Sequence, residues 1–197
     1  APQVRGSRMA NNQPCANKEI INQFINEITK DWHQFCDQAG KFEIRCLGEN
    51  RTPITQIFTL EEVADAVDFS KRMNTIKLNV YMMINPINPE AVIKAGKGAR
   101  KENILRAHYS FADADDVQGL NGLSMLSNLQ APDIIVTTGT IPHKRQHAYW
   151  QIAQPCYDLE LWGATQRRIA SEFKTDNAVV DLSRVMRLPG TVSYPSL

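Results

Sequence analysis

Asp113 and Asp115 are the residues of this chain whose types and spacing most directly suggest chemistry. They follow residues 107–112, a largely apolar segment that is typical of a buried strand. On an extended backbone, side chains at positions i and i+2 project to the same side, so the two carboxylates face one space. Mg²⁺ and Mn²⁺ prefer oxygen ligands of this kind. The sequence therefore predicts a divalent-metal site at the end of this strand.

A third acid, Asp181, lies much later in the chain, ahead of Arg184 and Arg187. Carboxylates that bind metal ions, next to arginines that bind phosphate oxygens, suit phosphoryl or nucleotidyl transfer. We therefore expect the carboxylates of Asp113, Asp115 and Asp181 to converge on one cation. Each segment also has an ordinary structural explanation, since aspartates are common where a strand enters a turn and Asp181 with Arg184 can form a local ion pair.

The loop at residues 139–146, between two predicted strands, is a second candidate site. The loop and the strand after it contain His143, Lys144, Arg145 and His147. Arginine offers bidentate hydrogen bonds and lysine a point charge, so such a loop can bind a triphosphate. The alternative is a solvated basic turn in which His147 is an ordinary strand residue.

The densest basic segment spans residues 91–106 and leads directly into the acidic strand. It contains Lys97, Arg100, Lys101 and Arg106. Phosphate contacts from such residues bind a nucleic-acid backbone without specifying its bases. A charged run of this kind is also typical of a solvated surface.

Composition limits the classes of protein that this chain can represent. Its 197 residues, 43% hydrophobic and 22% charged, are typical of one substantial globular domain. The net charge is +1, so any polyanion site depends on local clustering. No apolar run approaches the roughly 18 to 20 residues that span a bilayer, and we expect a cytoplasmic protein without a membrane partner. The four cysteines are scattered, which predicts reduced thiols rather than a zinc site.

Hydrophobic periodicity predicts the elements that position these residues. Helices are predicted at residues 17–39, 59–73, 123–129 and 158–174. The last helix is expected to bury a face formed by Leu161, Thr165, Ile169 and Phe173. Strands are predicted at residues 42–47, 54–58, 76–84, 107–112, 134–138 and 147–152, with strand and turn at 179–194. Because these elements lack a regular βαβ rhythm, we expect an α+β domain with a mixed or mainly antiparallel sheet.

Together, three segments resemble the archaeo-eukaryotic primase superfamily, in particular its primase-polymerase branch encoded by plasmids, phages and integrated elements. The matching segments are residues 109–115 with the two aspartates, 147–150 (His-Ala-Tyr-Trp), and 180–190 with Asp181 and the arginines. The resemblance covers about residues 80–194, and the order and spacing of all three motifs make it more specific than any one. The second motif departs from the family pattern by a longer Pro-His-Lys-Arg insertion, which leaves open whether His143 or His147 contacts the triphosphate.

The resemblance implies an RRM-like mixed or antiparallel sheet and a smaller N-terminal αβ module that flank an active cleft. It also implies a template-dependent DNA primase or polymerase in which Asp113, Asp115 and Asp181 are catalytic and hold two Mg²⁺ or Mn²⁺ ions. The implied nucleotide-binding residues are His147, His143, Arg145, Lys144, Arg184 and Arg187. The implied nucleic-acid-binding residues are Lys97, Arg100, Lys101 and Arg106.

The resemblance further implies NTP or dNTP substrates, a single-stranded DNA template and primer, and a helicase domain or protein as partner. The resemblance implies a protein of bacterial, phage or plasmid origin that is encoded on a mobile genetic element. We expect residues 1–8 to be an expression-tag remnant. Residues 9–197 would then form one catalytic domain of a longer protein, with an N-terminal part at 9–75 and a motif-bearing part at 76–197.

Other functions remain compatible with the same residues. One is a different divalent-metal enzyme, either a nuclease or a DxD-type glycosyltransferase that uses a nucleotide sugar. Another is a non-catalytic nucleic-acid-binding module, which would place aromatic residues in register on neighbouring strands. In the remaining alternative, the acidic residues are purely structural and bind no metal ion.

Overall fold

Two antiparallel sheets organise the computed structural model, which describes residues 14–33, 40–49 and 51–194. Their strands are β1 (Phe42–Leu47), β2 (Ile54–Phe58), β3 (Asn79–Met83), β4 (Ala107–Ala114), β5 (Ile134–Gly139), β6 (Arg145–Cys156) and β7 (Val185–Arg187). One sheet has the order β2-β1-β3-β7 and the other has the order β4-β6-β5. The antiparallel α+β fold expected from the sequence is confirmed.

Four helices accompany the sheets within the described residues. They are α1 (Lys18–Thr29), α2 (Val63–Thr75), α3 (Val117–Leu129) and α4 (Leu159–Phe173). Short 3₁₀ helices lie at Leu60–Glu62 and Lys101–Asn103. Each of α1, α3 and α4 begins after a residue whose side chain accepts hydrogen bonds from the first turn, namely Asn17, Asp116 and Asp158. In the part of the chain that the structure describes, no helix combines the length and apolar character that crossing a membrane requires.

The first predicted helix is shorter than expected. Its helical part ends at Thr29, and Trp32 lies in the following turn, where it is fully buried. Because a buried side chain in a turn can continue the apolar spacing of a helix, periodicity alone extended the prediction too far. Residues 34–39 of the predicted helix, like the expected tag at residues 1–8, lie outside the described residues.

Helix α4 buries a different face from the predicted one. Trp162, Gln166 and Ala170 are buried, whereas Leu161 is 60% exposed. Hydrogen bonding explains the difference, since the side chains of Trp162 and Gln166 donate to backbone carbonyls of β4 at 3.0 and 2.9 Å. The carbonyls at this edge of β4 require donors, so α4 turns its donor side chains toward the sheet.

The two sheets share one hydrophobic core. Ile44 and Val80 of the first sheet belong to the same buried cluster as Tyr109, Phe111 and Tyr149 of the second. Strands β3 and β7 pair side by side in the first sheet, next to β1. The predicted division near residue 75 therefore does not separate the two sheets, because β3 and β7 complete the sheet that β1 and β2 begin.

Arg106 is a core residue rather than a surface cation. It is 1% exposed, and its Nε donates to His108 Nε2 at 2.8 Å while its Nη2 donates to the Trp32 carbonyl at 3.2 Å. The predicted contact between Arg106 and nucleic acid is therefore wrong, because the guanidinium is used inside the protein and cannot reach a phosphate.

Burial, and then the charge of Arg106, lowers the pKa of His108 to about 4. This depressed pKa predicts that the protein loses stability in mild acid. The unfolded chain, with an ordinary His108 pKa of 6.5, binds a proton that the folded state excludes. The free energy of unfolding should therefore be unaffected by this group above pH 6.5 and fall by up to about 3 kcal/mol as the pH approaches 4. Urea unfolding of the wild type and of His108→Gln from pH 7 to pH 4 measures this contribution.

Glutamine at position 108 can accept the hydrogen bond from Arg106 but cannot titrate. The variant should therefore show a shallower decline with falling pH, because all other titrating groups are shared. Equal declines in the two proteins would contradict this assignment.

Candidate active site

Asp113 lies on β4 directly opposite His147 on β6. Both are buried, and His147 Nε2 is 3.4 Å from Asp113 Oδ2. The other ring nitrogen, Nδ1, is 3.2 Å from the hydroxyl of Tyr149. Burial, and then the charge of Asp113, raises the pKa of Tyr149 well above its usual value, so this group remains a hydroxyl. We infer that the hydroxyl donates to Nδ1, which leaves the Nε2 proton of His147 directed at Asp113.

The free edge of β4 brings Asp176 to the same place. The carbonyls of Tyr109 and Phe111 accept hydrogen bonds from side chains of α4, and that of Asp113 accepts from the backbone N–H of Asp176 at 2.8 Å. Lys174, with a left-handed φ of 56°, ends α4 and turns the chain back toward this edge. The same row of edge carbonyls therefore docks the helix and positions the acid that follows it.

Asp113, Asp115 and Asp176 form a group of carboxylates suited to a cation. One ligand oxygen from each lies within 4.8 Å of the others. Asp113 Oδ1 is buried and has no hydrogen-bond partner among the described residues. Burial, followed by the neighbouring charge of Asp113, raises the pKa of Asp115. An unpartnered buried oxygen among mutually repelling acids fits a divalent cation, which prefers oxygen ligands.

The third carboxylate of the group is thus Asp176, and the expected convergence of Asp181 is not observed. Asp181 is exposed, and its side chain accepts a hydrogen bond from the Ser183 hydroxyl at 3.0 Å. Its carbonyl accepts from Arg184 N–H, so its polar groups are used within its own turn. Asp176 and Asp181 both precede the arginines, and no local pattern in the sequence distinguishes Asp176 from Asp181.

A cleft of about 240 Å³ opens beside these carboxylates. Arg145, His147, Arg184 and Arg187 line it together with the three acids. Arg184 Nη2 lies 4.0 Å from Asp176 Oδ2. The Nε atoms of Arg145 and Arg184 are buried without a hydrogen-bond partner among the described residues. The cleft therefore combines a cation site with donors that an anionic group can use.

Arg187 is held firmly at the wall of the cleft. Its guanidinium donates to Asn79 Oδ1 at 2.8 Å and to the Tyr81 hydroxyl at 3.0 Å. It also lies 5.0 Å from the centre of the Tyr81 ring, which is within range of a cation–π interaction. Tyr81, which lines the cleft together with Thr138, had no distinguishing signal in the sequence.

His143 and Lys144 lie outside the set of cleft-lining residues. His143 Nε2 is 2.7 Å from the carbonyl of Asp115, to which it donates a hydrogen bond, so it supports the backbone of an acidic residue. Lys144 is exposed. Of the two histidines between which the sequence left the choice open, the structure places His147 in the cleft.

The basic loop, defined here as residues 94–101, lies away from the carboxylates. Lys97, Arg100 and Lys101 are exposed. Lys97 and Arg100 line surface clefts that contain none of the three acids. The loop is therefore an accessible cationic surface separate from the candidate active site.

Comparison with solved structures identifies the class of fold to which this architecture belongs. The AEP (archaeo-eukaryotic primase) domain of the cyanophage S-2L primase-polymerase aligns with a TM-score of 0.60 and 19% identity, covering 89% of this chain and 83% of that chain. Primase RepB′ aligns with a TM-score of 0.60 and 22% identity, covering 88% of this chain and 51% of that one. The chain thus spans about half of the RepB′ structure.

The catalytic domain of RepB′ in complex with initiator DNA gives a TM-score of 0.58 at 22% identity, over 87% of this chain and 77% of that one. No protein-family model matches the chain, and no curated protein matches it by sequence. The structural likeness establishes that this chain has the fold of the archaeo-eukaryotic primase catalytic domain, as the sequence motifs predicted.

Proposed function

We propose that the chain is a divalent-metal-dependent nucleotidyltransferase that makes or extends primers on single-stranded DNA. The observation that supports this most directly is the group formed by Asp113, Asp115 and Asp176 in the same cleft as three arginines and His147. A fold shared with primases and primase-polymerases supports the same class of reaction. In this proposal Asp176 takes the place that the sequence motif suggested for Asp181.

The reaction joins a 3′-hydroxyl oxygen to the α-phosphorus of a nucleoside triphosphate and breaks the bond from that phosphorus to the leaving pyrophosphate. Asp113, Asp115 and Asp176 would hold Mg²⁺ or Mn²⁺. When bound, the cation supplies positive charge near the α-phosphate and makes the attacking hydroxyl more acidic. The buried position of Asp113 limits the access of water to its carboxylate oxygens and strengthens their interaction with a cation.

The arginine side chains of the cleft would bind the rest of the triphosphate. Among the described residues, the Nε–H groups of Arg145 and Arg184 have no hydrogen-bond partner, and arginine forms paired hydrogen bonds with phosphate oxygens. Arg187 is oriented by Asn79 and Tyr81, so it can bind phosphate without first losing side-chain freedom. Charge that develops on the departing pyrophosphate is stabilised by such fixed donors.

His147 would act at the boundary between the carboxylates and the phosphates. The hydrogen bond from Tyr149 to Nδ1 orients the ring, and its Nε2–H then points into the cleft at Asp113. A nucleotide phosphate entering the cleft can accept from the same nitrogen. Of the two histidines between which the sequence left the choice open, His147 is the one to which we assign the contact with the triphosphate, because it lines the cleft.

Template-directed incorporation of labelled nucleotides tests the proposal. The wild type is incubated with oligothymidylate carrying a short oligoadenylate primer, Mg²⁺ or Mn²⁺, and labelled adenosine or cytidine nucleotides. We expect the adenosine nucleotide to be incorporated preferentially, because pairing with the template selects it, and we expect EDTA to abolish incorporation. Gel electrophoresis of the extended primers measures both effects.

Other outcomes of this assay identify the alternative functions. Shortening of the DNA without added nucleotides would indicate a nuclease, and turnover of a UDP-sugar would indicate a glycosyltransferase. DNA binding that EDTA leaves unchanged, without any product under either metal, would indicate a non-catalytic binding module. Any of these results in place of template-directed incorporation would refute the proposed function.

A further inference from the structure

A row of large polar side chains crosses the four-stranded sheet on the face that α2 does not cover. The strand register places Arg45 of β1 opposite Tyr81 of β3, and Tyr81 opposite Arg187 of β7. Residues directly opposite each other in paired strands project to the same face. The neighbouring residues Ile44 and Met82 project to the other face and are buried in the core. Arg45, Tyr81 and Arg187 therefore form one continuous row that is partly exposed.

The row connects the candidate active site with the basic loop. At one end, Tyr81 and Arg187 line the cleft that contains the three carboxylates. At the other end, Arg45 lines a separate cleft of about 350 Å³ with Lys97 and Arg100. The distance across the three strands is about 10 Å, since neighbouring strands lie about 4.8 Å apart. An extended polyanion can thus reach from one cleft to the other over this face.

A buried ion pair fixes the basic loop at the end of the row. Glu43 is fully buried, and its Oε1 accepts from Arg45 Nε at 2.6 Å while its Oε2 accepts from the backbone N–H of Ala99 at 2.5 Å. A Cβ at Gly98 would overlap the Arg45 guanidinium, so a glycine permits this close approach. Because Glu43 compensates Arg45, the cations that remain for a ligand at this end are Lys97 and Arg100.

We propose that this row is the path of a single nucleic-acid strand between the carboxylate cleft and the basic loop, an inference that rests on the proposed function. Tyr81, whose ring lies against the Arg187 guanidinium, presents an aromatic group on which a base can stack. Lys97 and Arg100 present cations to the phosphates. Proteins that bind single strands without sequence preference combine these two kinds of contact. A duplex, whose bases are stacked within the helix, cannot use Tyr81 in this way.

Binding of a fluorescein-labelled oligothymidylate, measured by fluorescence anisotropy at several salt concentrations without nucleotides, tests the path. The double variant Lys97→Ala/Arg100→Ala should reduce the slope of log affinity against log salt by about 1.4, because each phosphate contact on a single strand contributes about 0.7. Tyr81→Leu should weaken binding about 5- to 150-fold with the slope unchanged, because it removes stacking but no charge.

The double variant Lys71→Ala/Arg72→Ala is the matched control for charge. Both residues are exposed on α2, which covers the opposite face of the sheet, so removing them should leave the slope at the wild-type value. The path would be refuted if the Lys97/Arg100 variant kept the wild-type slope, or if Tyr81→Leu bound oligothymidylate normally. It would also be refuted if Tyr81→Leu lost as much affinity for a duplex of equal length as for the single strand.

These results are separable from a failure of the proposed function. If the wild type incorporates nucleotides but the variants bind the oligonucleotide normally, the function stands and the path is wrong. If the wild type incorporates none, the function fails, and the same binding curves still decide whether a single strand follows this face.

Discussion

Replacing Asp176 by asparagine is expected to lower nucleotide incorporation about 1,000-fold. The substitution keeps the size of the side chain and the backbone N–H that donates to Asp113, but removes one of the three carboxylate charges. A bound metal ion lowers the free energy of the transition state by several kcal/mol, and each 1.4 kcal/mol changes the rate about tenfold. Steady-state incorporation at saturating Mn²⁺ and nucleotide measures the loss.

Asp181→Asn is the matched control for this experiment. It makes the same chemical change a few residues later, at an exposed side chain that accepts a hydrogen bond from Ser183. Asparagine can accept the same bond, so incorporation should stay within about threefold of the wild type, as is usual for exposed substitutions. Loss of activity in Asp181→Asn with normal activity in Asp176→Asn would reverse the assignment and support the sequence-based choice.

Metal binding gives the same comparison independently of turnover. Mn²⁺ affinity of the wild type, Asp176→Asn and Asp181→Asn can be measured by titration calorimetry or by the relaxation of water protons. We expect Mn²⁺ to bind more weakly to Asp176→Asn than to the wild type, and equally well to Asp181→Asn and the wild type. Equal affinity in all three proteins would show that Asp176 does not contribute a ligand.

Gly122→Ala is expected to destabilise the fold by about 3 kcal/mol, at the upper end of the usual cost of overpacking. A Cβ at Gly122 in α3 would overlap the carbonyl oxygen of Phe173, the last residue of α4, and would lie 2.5 Å from its carbonyl carbon. Backbone atoms cannot rotate away, so α3 and the end of α4 must separate. Urea unfolding measures the loss of stability.

The same substitution should also reduce activity in the protein that remains folded. Lys174 and Asp176 directly follow Phe173, so a shift of the end of α4 moves one carboxylate of the group. A displacement of about 1 Å in a catalytic group can cost about 100-fold in rate. Activity per folded molecule, determined from the amplitude of the unfolding curve, isolates this effect.

Gly163→Ala provides the control within α4. Among the described residues, a Cβ there would meet only the flexible guanidinium of Arg167, at 3.3 Å. Alanine is favoured over glycine inside a helix by up to about 1 kcal/mol, so this variant should be as stable as the wild type or more so. If Gly122→Ala proved equally stable, α3 and α4 would not be in the close contact described.

Local patterns in the sequence predicted most of the elements. The strands at 42–47 and 54–58 were predicted with the bounds that the structure shows, because alternation and turn residues determine a hairpin locally. The predicted face of α4 was wrong because hydrophobicity favoured Leu161, whereas Trp162 and Gln166 satisfy carbonyls of β4. The need for those donors comes from another element and is invisible in the sequence of the helix.

Long-range contacts decided the composition of the candidate site. Asp113 and Asp115 were predicted together because the spacing of i and i+2 on a strand is a local property. Arg106 was assigned to the surface because it lies in a basic run, yet it is enclosed with His108 and the carbonyl of Trp32. A run of like charges does not indicate which member faces the core.

The sequence by itself determined the acidic pair of Asp113 and Asp115, the histidine strand of His147 and the class of fold, because each depends on short spacings and on the order of motifs. Only the tertiary structure decided that Asp176, not Asp181, completes the group of carboxylates. The physical reason is the free edge of β4, where the carbonyl of Asp113 requires a donor and receives it from the backbone of Asp176. That hydrogen bond joins two distant parts of the chain, and no local pattern specifies it.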